Sequence, residues 1–473
     1  MDYPMHIGGE LVSTSEKITV ALPYDGAEVG NVFRAGREQV DAAVASARKA
    51  APVMRELTLD GRAAILRRVH QTVIERKSDL ALAISSECGK PIREAALEVD
   101  RSVQTLLFSA EEARRLGGEL VPMEAAPAGK GHMAITVREP VGVIAAITPF
   151  NFPLNLAMHK IAPAIAGGNA IVHKPASATP ISAILMAEIF EQCGLPRGAL
   201  NVITGPGGEI GDLLTFHSGV NMVTFTGSAD VGLRIRNLAG MKRVTLELGN
   251  NSAVIIEDDA DLNDAVPRCV TGSFSHSGQT CISVQRVFAH RRIHDEFLER
   301  FVEGARKLRI GHPHDPQTDI SSMITTGEAE RVEGWVREAV TQGAKLITGG
   351  TRRRATLEPM VLTGVPPSAK IACREAFGPL VCVNTHDTLD EAIEQVNATD
   401  YGLQAGIYTR DIGKAFRAAR RVDVGGFMIN EVPQYRADHM PYGGVKMSGT
   451  GREGPKYALE EMTETKLICW KVG

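Results

Sequence analysis

Between residues 170 and 225, short apolar runs alternate with helical stretches, and this limits the fold more than any other feature of the chain. Residues 170–173 (AIVH) read as a strand, 180–193 as a helix, 200–203 as a strand, 208–215 as a helix and 222–225 as a strand. Strands joined through helices of that length run parallel, because the crossover carries the chain back to its starting edge. A doubly wound parallel sheet follows. A second series starts near Ser252, passes through a helix over 293–308 and ends on the apolar strand 426–430. Upstream, Val40, Ala43, Val44 and Ala47 share one helical face, as do Ala63, Ile65, Leu66 and Val69. Residues 132–138 alternate as a strand does, and 463–470 reads as a strand able to pair outside its own unit. The expected class is α/β, with two doubly wound (Rossmann-like) units and a small β element.

Composition serves mainly to exclude. Lys+Arg 52 against Asp+Glu 56 gives a net charge of -4, which leaves no basic footprint for nucleic acid and no polybasic signal for a membrane. The longest apolar run, near residues 141–147, is far shorter than the roughly 20 residues of a spanning helix. The opening MDYPMHIGGE has no positively charged start and no apolar core, and seven scattered cysteines suit a reducing compartment. The expectation is a cytoplasmic chain.

Three local patterns offer chemistry. Cys281, in SHSGQTCI, follows a Gly-containing turn after a helix over 262–274, where backbone N–H groups can hold a thiolate and an oxyanion. Glu247, in VTLELGNN, ends an apolar strand between Leu246 and Leu248, where desolvation raises a carboxyl towards the range of a general base. Asn151, in ITPFNFPLN, is an amide between two prolines, placed to donate to a developing oxyanion. Each has a plain alternative: a buried small hydrophobe for the cysteine, an edge-strand surface residue for the glutamate, a turn former for the asparagine. His290 and His294 are four apart without a third ligand, so no metal site is expected.

Together, and in order, these patterns resemble the aldehyde dehydrogenase superfamily over nearly the whole chain. TPFNFP is similar to its asparagine motif, LELGNN to its glutamate motif and GQTCI to its cysteine motif. Glu375-Ala-Phe377-Gly-Pro resembles its EIFGP-like motif, and Met440-Pro-Tyr-Gly-Gly-Val-Lys-Met-Ser-Gly its PFGGxKxSG-like motif. The resemblance implies a dinucleotide-binding domain over 1–118 and 139–246, a catalytic domain over 247–440, and a β oligomerisation element from 119–138 and 455–473. It also implies that Cys281 attacks an aldehyde, that Asn151 holds the oxyanion, and that Glu247 activates the water that releases the acid. Coenzyme A-acylating relatives often lack that glutamate. A catalytically retired binding protein would not need the three residues at all.

Cofactor residues follow from the same resemblance. Ile147, Thr148, Pro149 and Phe150 precede Asn151. Phe225, Thr226, Gly227 and Ser228 form a strand–turn–helix start suited to a pyrophosphate. Lys174 meets the adenosine ribose, with Ser177, Gly207 and Gly211 nearby. Leu248, Gly249, Glu375 and Phe377 surround the nicotinamide end. NAD-preferring members frequently carry glutamate where Ser177 stands, so NAD or NADP is expected, with NADP at least tolerated. The sequence Gly249-Asn250-Asn251 resembles the lactaldehyde dehydrogenase-like branch. Thr280 stands where some phosphonoacetaldehyde-oxidising relatives carry arginine.

Alignment outward from the motifs sets Arg101, Asn155, His159, Thr280 and Arg436 near the substrate. Asn155 and His159 share a helical face, and an arginine at 101 could clamp an anion unless it pairs with Asp100 or Glu98. The implied substrate is a short polar aldehyde, an anionic one favoured: lactaldehyde or glycolaldehyde, glyceraldehyde 3-phosphate, succinate semialdehyde, or a phosphono- or sulfo-aldehyde. A homodimer or homotetramer is implied, assembled by strand addition.

Overall fold

A computed structural model describes residues 1–472. The alternating segment forms the strand Ala170–Lys174, the helix Ile181–Gln192, the strand Leu200–Val202, the helix Gly207–Phe216 and the strand Met222–Thr226. They belong to an eight-stranded sheet in the order 449–450, 243–247, 222–226, 143–147, 170–174, 200–202, 5–7, 10–12. Its five central strands are parallel. From Val143–Ile147 the chain first winds outward through 170–174 and 200–202. It then crosses to the other side for 222–226 and 243–247. The winding reverses between 143–147 and 222–226, and an open α/β sheet has its ligand crevice beyond the carboxyl ends of strands at such a point.

The second series builds a seven-stranded sheet in the order 345–348, 360–363, 380–386, 286–290, 253–256, 404–408, 426–429. A three-stranded sheet joins Leu120–Val121, His132–Pro140 and Thr463–Lys471, the last paired antiparallel along nine residues of His132–Pro140. Of the helices Arg37–Glu56, Leu59–Glu75, Lys77–Cys88 and Ile92–Arg115, the first packs on the first sheet and the others pack on the helices Asn155–Ala166 and Ile181–Gln192 that cover it. The apolar faces at Val40–Ala47 and Ala63–Val69 are buried in its core.

Two features depart from the pattern-based reading. Five short strands occupy residues 2–33, where no run is long enough to show a period. Gly449–Thr450 returns to pair antiparallel with the end of Arg243–Glu247. No helix among the described residues is long and apolar enough to cross a membrane.

Candidate active site

The carboxyl ends of the first sheet face the amino ends of the second, and the chain crosses between them from Glu247 to Ala253. A cavity of about 520 Å³ lies at this junction. Its walls include Pro149, Phe150 and Asn151 after one first-sheet strand, Thr226, Gly227 and Ser228 after the next, and Glu247, Leu248 and Gly249 after the third. Cys281, Glu375, Phe377 and Tyr401 come from loops that precede strands of the second sheet. The structure thus brings together half of the residues singled out by sequence, including all three chemical ones.

Asn151 is buried, and its Nδ2 donates to the Gln279 carbonyl at 2.8 Å, which leaves its second N–H free for another acceptor. Gln279 is itself fixed, accepting from Ile324 N–H at 2.9 Å. Glu247 is 2% exposed, and neither carboxylate oxygen finds a partner among the described residues. Burial, with repulsion from Glu453 added, pushes its carboxyl well above the usual range. Glu375 accepts from Asn250 N–H at 2.9 Å and is pushed up to about 7 by burial. A Cβ at position 249 would collide with the Glu375 carboxylate, so glycine is required for that approach. Phe377 sits at φ 51, a left-handed backbone that a bulky residue rarely adopts, with its ring edge-on to Phe150 at 5.8 Å.

The thiol differs from the sequence-based expectation of a stabilised thiolate. Burial pushes Cys281 up to about 11, and the lowering influence of a hydrogen bond with Tyr442 and of the Arg436 charge does not cancel it. In the free protein at neutral pH this is a thiol. Its Sγ lies 2.8 Å from the Tyr442 hydroxyl, and the Arg436 guanidinium stacks 3.6 Å from the centre of the Tyr442 ring.

A buried ionic network stands beside these groups. Arg101 pairs with Asp438 through Nε at 3.2 Å and Nη2 at 2.8 Å, whereas Asp100 pairs with Lys77 and Glu98 with Lys90. Asn155 Nδ2 and His159 Nε2 donate to the same Asp438 oxygen at 3.1 and 3.0 Å. Against burial, the His159 hydrogen bond and the Arg101 charge hold the Asp438 carboxyl well below its usual range. Burial keeps His159 neutral. The next residue, Lys160, donates to Glu453 at 2.7 Å, and Arg436 donates to its other oxygen at 3.1 Å. Despite burial, these two cations hold Glu453 at about 2. Asp438, Glu453, Lys160 and the Tyr442 hydroxyl escaped the sequence reading. Their partners lie up to 337 residues away, and no local spacing encodes such pairs.

The remaining cofactor candidates lie beyond the cavity wall. The Thr148 hydroxyl bonds His173 at 2.9 Å, Lys174 Nζ donates to the Pro175 carbonyl at 2.9 Å, and Ser177 Oγ donates to the Gly205 carbonyl at 2.7 Å. Gly207 approaches the Lys174 ammonium and Gly211 approaches Ile147, both over the strand ends 143–147 and 170–174. Burial lowers Lys174 to about 8, and no carboxylate faces it. The helix Ala229–Leu238 opens at Ser228 with no side-chain cap, so its first N–H groups remain available to an anion. The open helix terminus, the unbalanced buried lysine and the Glu375 acceptor fit a dinucleotide. No cluster of three or more His, Cys, Asp or Glu side chains among the described residues could hold a metal ion.

A cysteine thiol, a buried carboxyl and a carboxamide thus stand together where two doubly wound sheets meet, an arrangement that suits an oxidoreductase. The chain belongs to the aldehyde dehydrogenase family, which it matches over residues 11–468. It is 48% identical over 466 residues to a 3-sulfolactaldehyde dehydrogenase of Priestia aryabhattai, covering 98% of this chain and 97% of that one. It is 42% identical to a lactaldehyde dehydrogenase of Methanococcus aeolicus, covering 98% and 99%. Its structure superposes at a TM-score of 0.98 on an NADP-dependent glyceraldehyde-3-phosphate dehydrogenase of Bacillus halodurans complexed with NADP, at 35% identity and full coverage of both chains.

Proposed function

We propose that this enzyme oxidises a three-carbon 2-hydroxyaldehyde bearing an anionic group on its third carbon, of the 3-sulfo or 3-phospho class, to the carboxylate. The observation that carries this reading is a set of buried polar atoms without partners among the described residues: Arg436 Nε, whose charge acts on Cys281, Thr280 Oγ1 next to it in the chain, Asn151 Oδ1 in the cavity wall, and His159 Nδ1 on the Asp438 network. Each such atom costs roughly 1–3 kcal/mol unless a ligand satisfies it, so an apolar aldehyde is disfavoured. Charge points the same way. Arg101, Arg436 and Lys160 pair with Asp438 and Glu453, two acids held ionised, while burial pushes Glu247 towards its neutral form. The three relatives' named substrates share a 2-hydroxyl, and two carry an anion at the third carbon.

The residues act in a definite sequence. Cys281 loses its proton to solvent water, and Sγ bonds the aldehyde carbon as the C=O π pair passes to oxygen. The Asn151 amide and the Cys281 backbone N–H hold the resulting oxyanion. NAD or NADP, when bound, would supply the hydride acceptor for oxidation at this stage, which leaves the acyl group on Cys281 as a thioester. Glu247 then takes a proton from water as that water attacks the thioester carbon, and the acid leaves. Ser228 and its helix terminus would hold the pyrophosphate, Lys174 and Ser177 the adenosine ribose, and Glu375 the nicotinamide ribose. The intact Glu247 supports hydrolysis over transfer to coenzyme A. The seven cysteines are free, in keeping with a reducing cytoplasm. The exposed strand Thr463–Lys471 is suited to pairing in a homodimer or homotetramer.

The test is nicotinamide reduction, without coenzyme A, on 3-sulfolactaldehyde, glyceraldehyde 3-phosphate, lactaldehyde and propanal under each cofactor. The anionic hydroxyaldehydes should give the highest kcat/KM; a preference for propanal would overturn the reading. Arg436→Leu should raise KM for the anionic substrates by roughly 10–100-fold, the worth of a hydrogen bond to a charged group. KM for lactaldehyde should move far less. Ser177→Glu should raise KM for NADP by roughly 10-fold or more while sparing NAD, since a buried like charge costs at least ~1.4 kcal/mol. Equal KM values for the two cofactors in that variant would remove Ser177 from the discrimination.

A further inference from the structure

The Tyr442 hydroxyl is the nearest polar atom bonded to the nucleophile, and nothing in the reaction as outlined uses it. Its ring is buried at 3% exposure, and Arg436 stacks on its face. The hydroxyl therefore has little freedom to turn elsewhere. With a thiol, either group can donate in the 2.8 Å contact. A thiolate has no proton, so once Cys281 ionises the phenol must be the donor. A hydrogen bond to a charged acceptor is roughly twice as strong as a neutral one. The contact thus favours the ionised sulfur over the neutral one.

We propose that Tyr442 is a further catalytic residue, a hydrogen-bond donor to the Cys281 sulfur both when it ionises for attack and when it departs from the thioester. In the second step water attacks the acyl carbon, Glu247 takes the water proton, and the C–S bond breaks with its electron pair passing to sulfur. The phenol O–H donates to that new thiolate and keeps its proton throughout. Arg436 supports the role from the ring face, because its charge makes the phenol a better donor. The ionisable groups facing Cys281 are Tyr442, Arg436, Glu375 and Glu247. The first two favour the thiolate, while the carboxylates oppose it when ionised. Burial dominates the sum, and Tyr442 is the neighbour that lowers the thiol most.

The test needs no aldehyde and is independent of substrate identity. Cys281 in the cofactor-free enzyme is alkylated with iodoacetamide across a pH series, and the modified peptide is followed by mass spectrometry to separate it from Cys373 and Cys469. Tyr442→Phe keeps the ring and its stack. The apparent pKa of Cys281 should rise by about one unit in this variant, which is tenfold less thiolate at a fixed lower pH. A more basic thiolate is also more nucleophilic, so the alkylation rate itself should fall only about threefold. An unchanged pKa in a folded, cofactor-binding Tyr442→Phe protein would overturn the proposal. Should that variant fail to fold, enzyme made with 3-fluorotyrosine carries a more acidic phenol, and its Cys281 pKa should move down. No movement there would equally refute the role.

Discussion

Cys281→Ser is expected to lower aldehyde oxidation by more than about 10³-fold while leaving cofactor affinity within twofold. Loss of a nucleophile removes the covalent route entirely, and what survives in such variants comes from binding and oxyanion stabilisation alone. The hydroxyl is nearly isosteric with the thiol and can still meet the Tyr442 hydroxyl, so the cavity wall should keep its shape. The proposed cofactor contacts are other side chains, Ser228, Lys174 and Glu375. The check is nicotinamide absorbance for turnover, with fluorescence titration for NADP. Oxidation at the wild-type rate would end the cysteine mechanism; lost cofactor binding would mean that the substitution had deformed the junction.

Glu247→Gln should separate the two halves of the reaction. Acylation needs no water, so about one nicotinamide per active site should be reduced in a burst. Steady-state turnover should then drop by roughly 10²–10⁴-fold, the usual contribution of a general base. An acyl adduct on Cys281 should be visible by mass. Absence of both burst and adduct would show that Glu247 acts before the thioester forms. In the wild type, deacylation should increase with pH as Glu247 ionises.

The same substitution makes a stability prediction of opposite sign. Burial raises the folded-state pKa of Glu247 above its unfolded value. Between the two values the native state binds more protons than the unfolded one, so stability falls as pH rises through the folded pKa. Glutamine cannot ionise. The Glu247→Gln protein should therefore melt higher than wild type at alkaline pH, with the difference shrinking as pH falls towards 4.5. A constant difference would indicate that Glu247 is already ionised in the fold.

Local pattern carried a large share of the architecture. The parallel strands are almost wholly apolar because helices cover both faces of the sheet, and such runs are recognisable without partners. Cys281, Glu247 and Asn151 were legible because each sits in a short motif whose neighbours (glycines, prolines, strand-ending leucines) fix the local backbone. Arg101 shows where that ends. Sequence offered Asp100 and Glu98 as its partners, the acids closest along the chain. In the fold those carboxylates face Lys77 and Lys90, and Arg101 reaches Asp438.

The sequence by itself determined the class of fold and pointed to Cys281, Glu247 and Asn151, since each depends on patterns within a few residues. Only the tertiary structure decided how those side chains are tuned. It placed Tyr442 on the sulfur, Arg436 over Tyr442, Lys160 against Glu453, and three donors on Asp438. Ionisation is set by everything within several ångströms in space, and burial at a junction between two sheets brings together residues that no chain-local pattern relates.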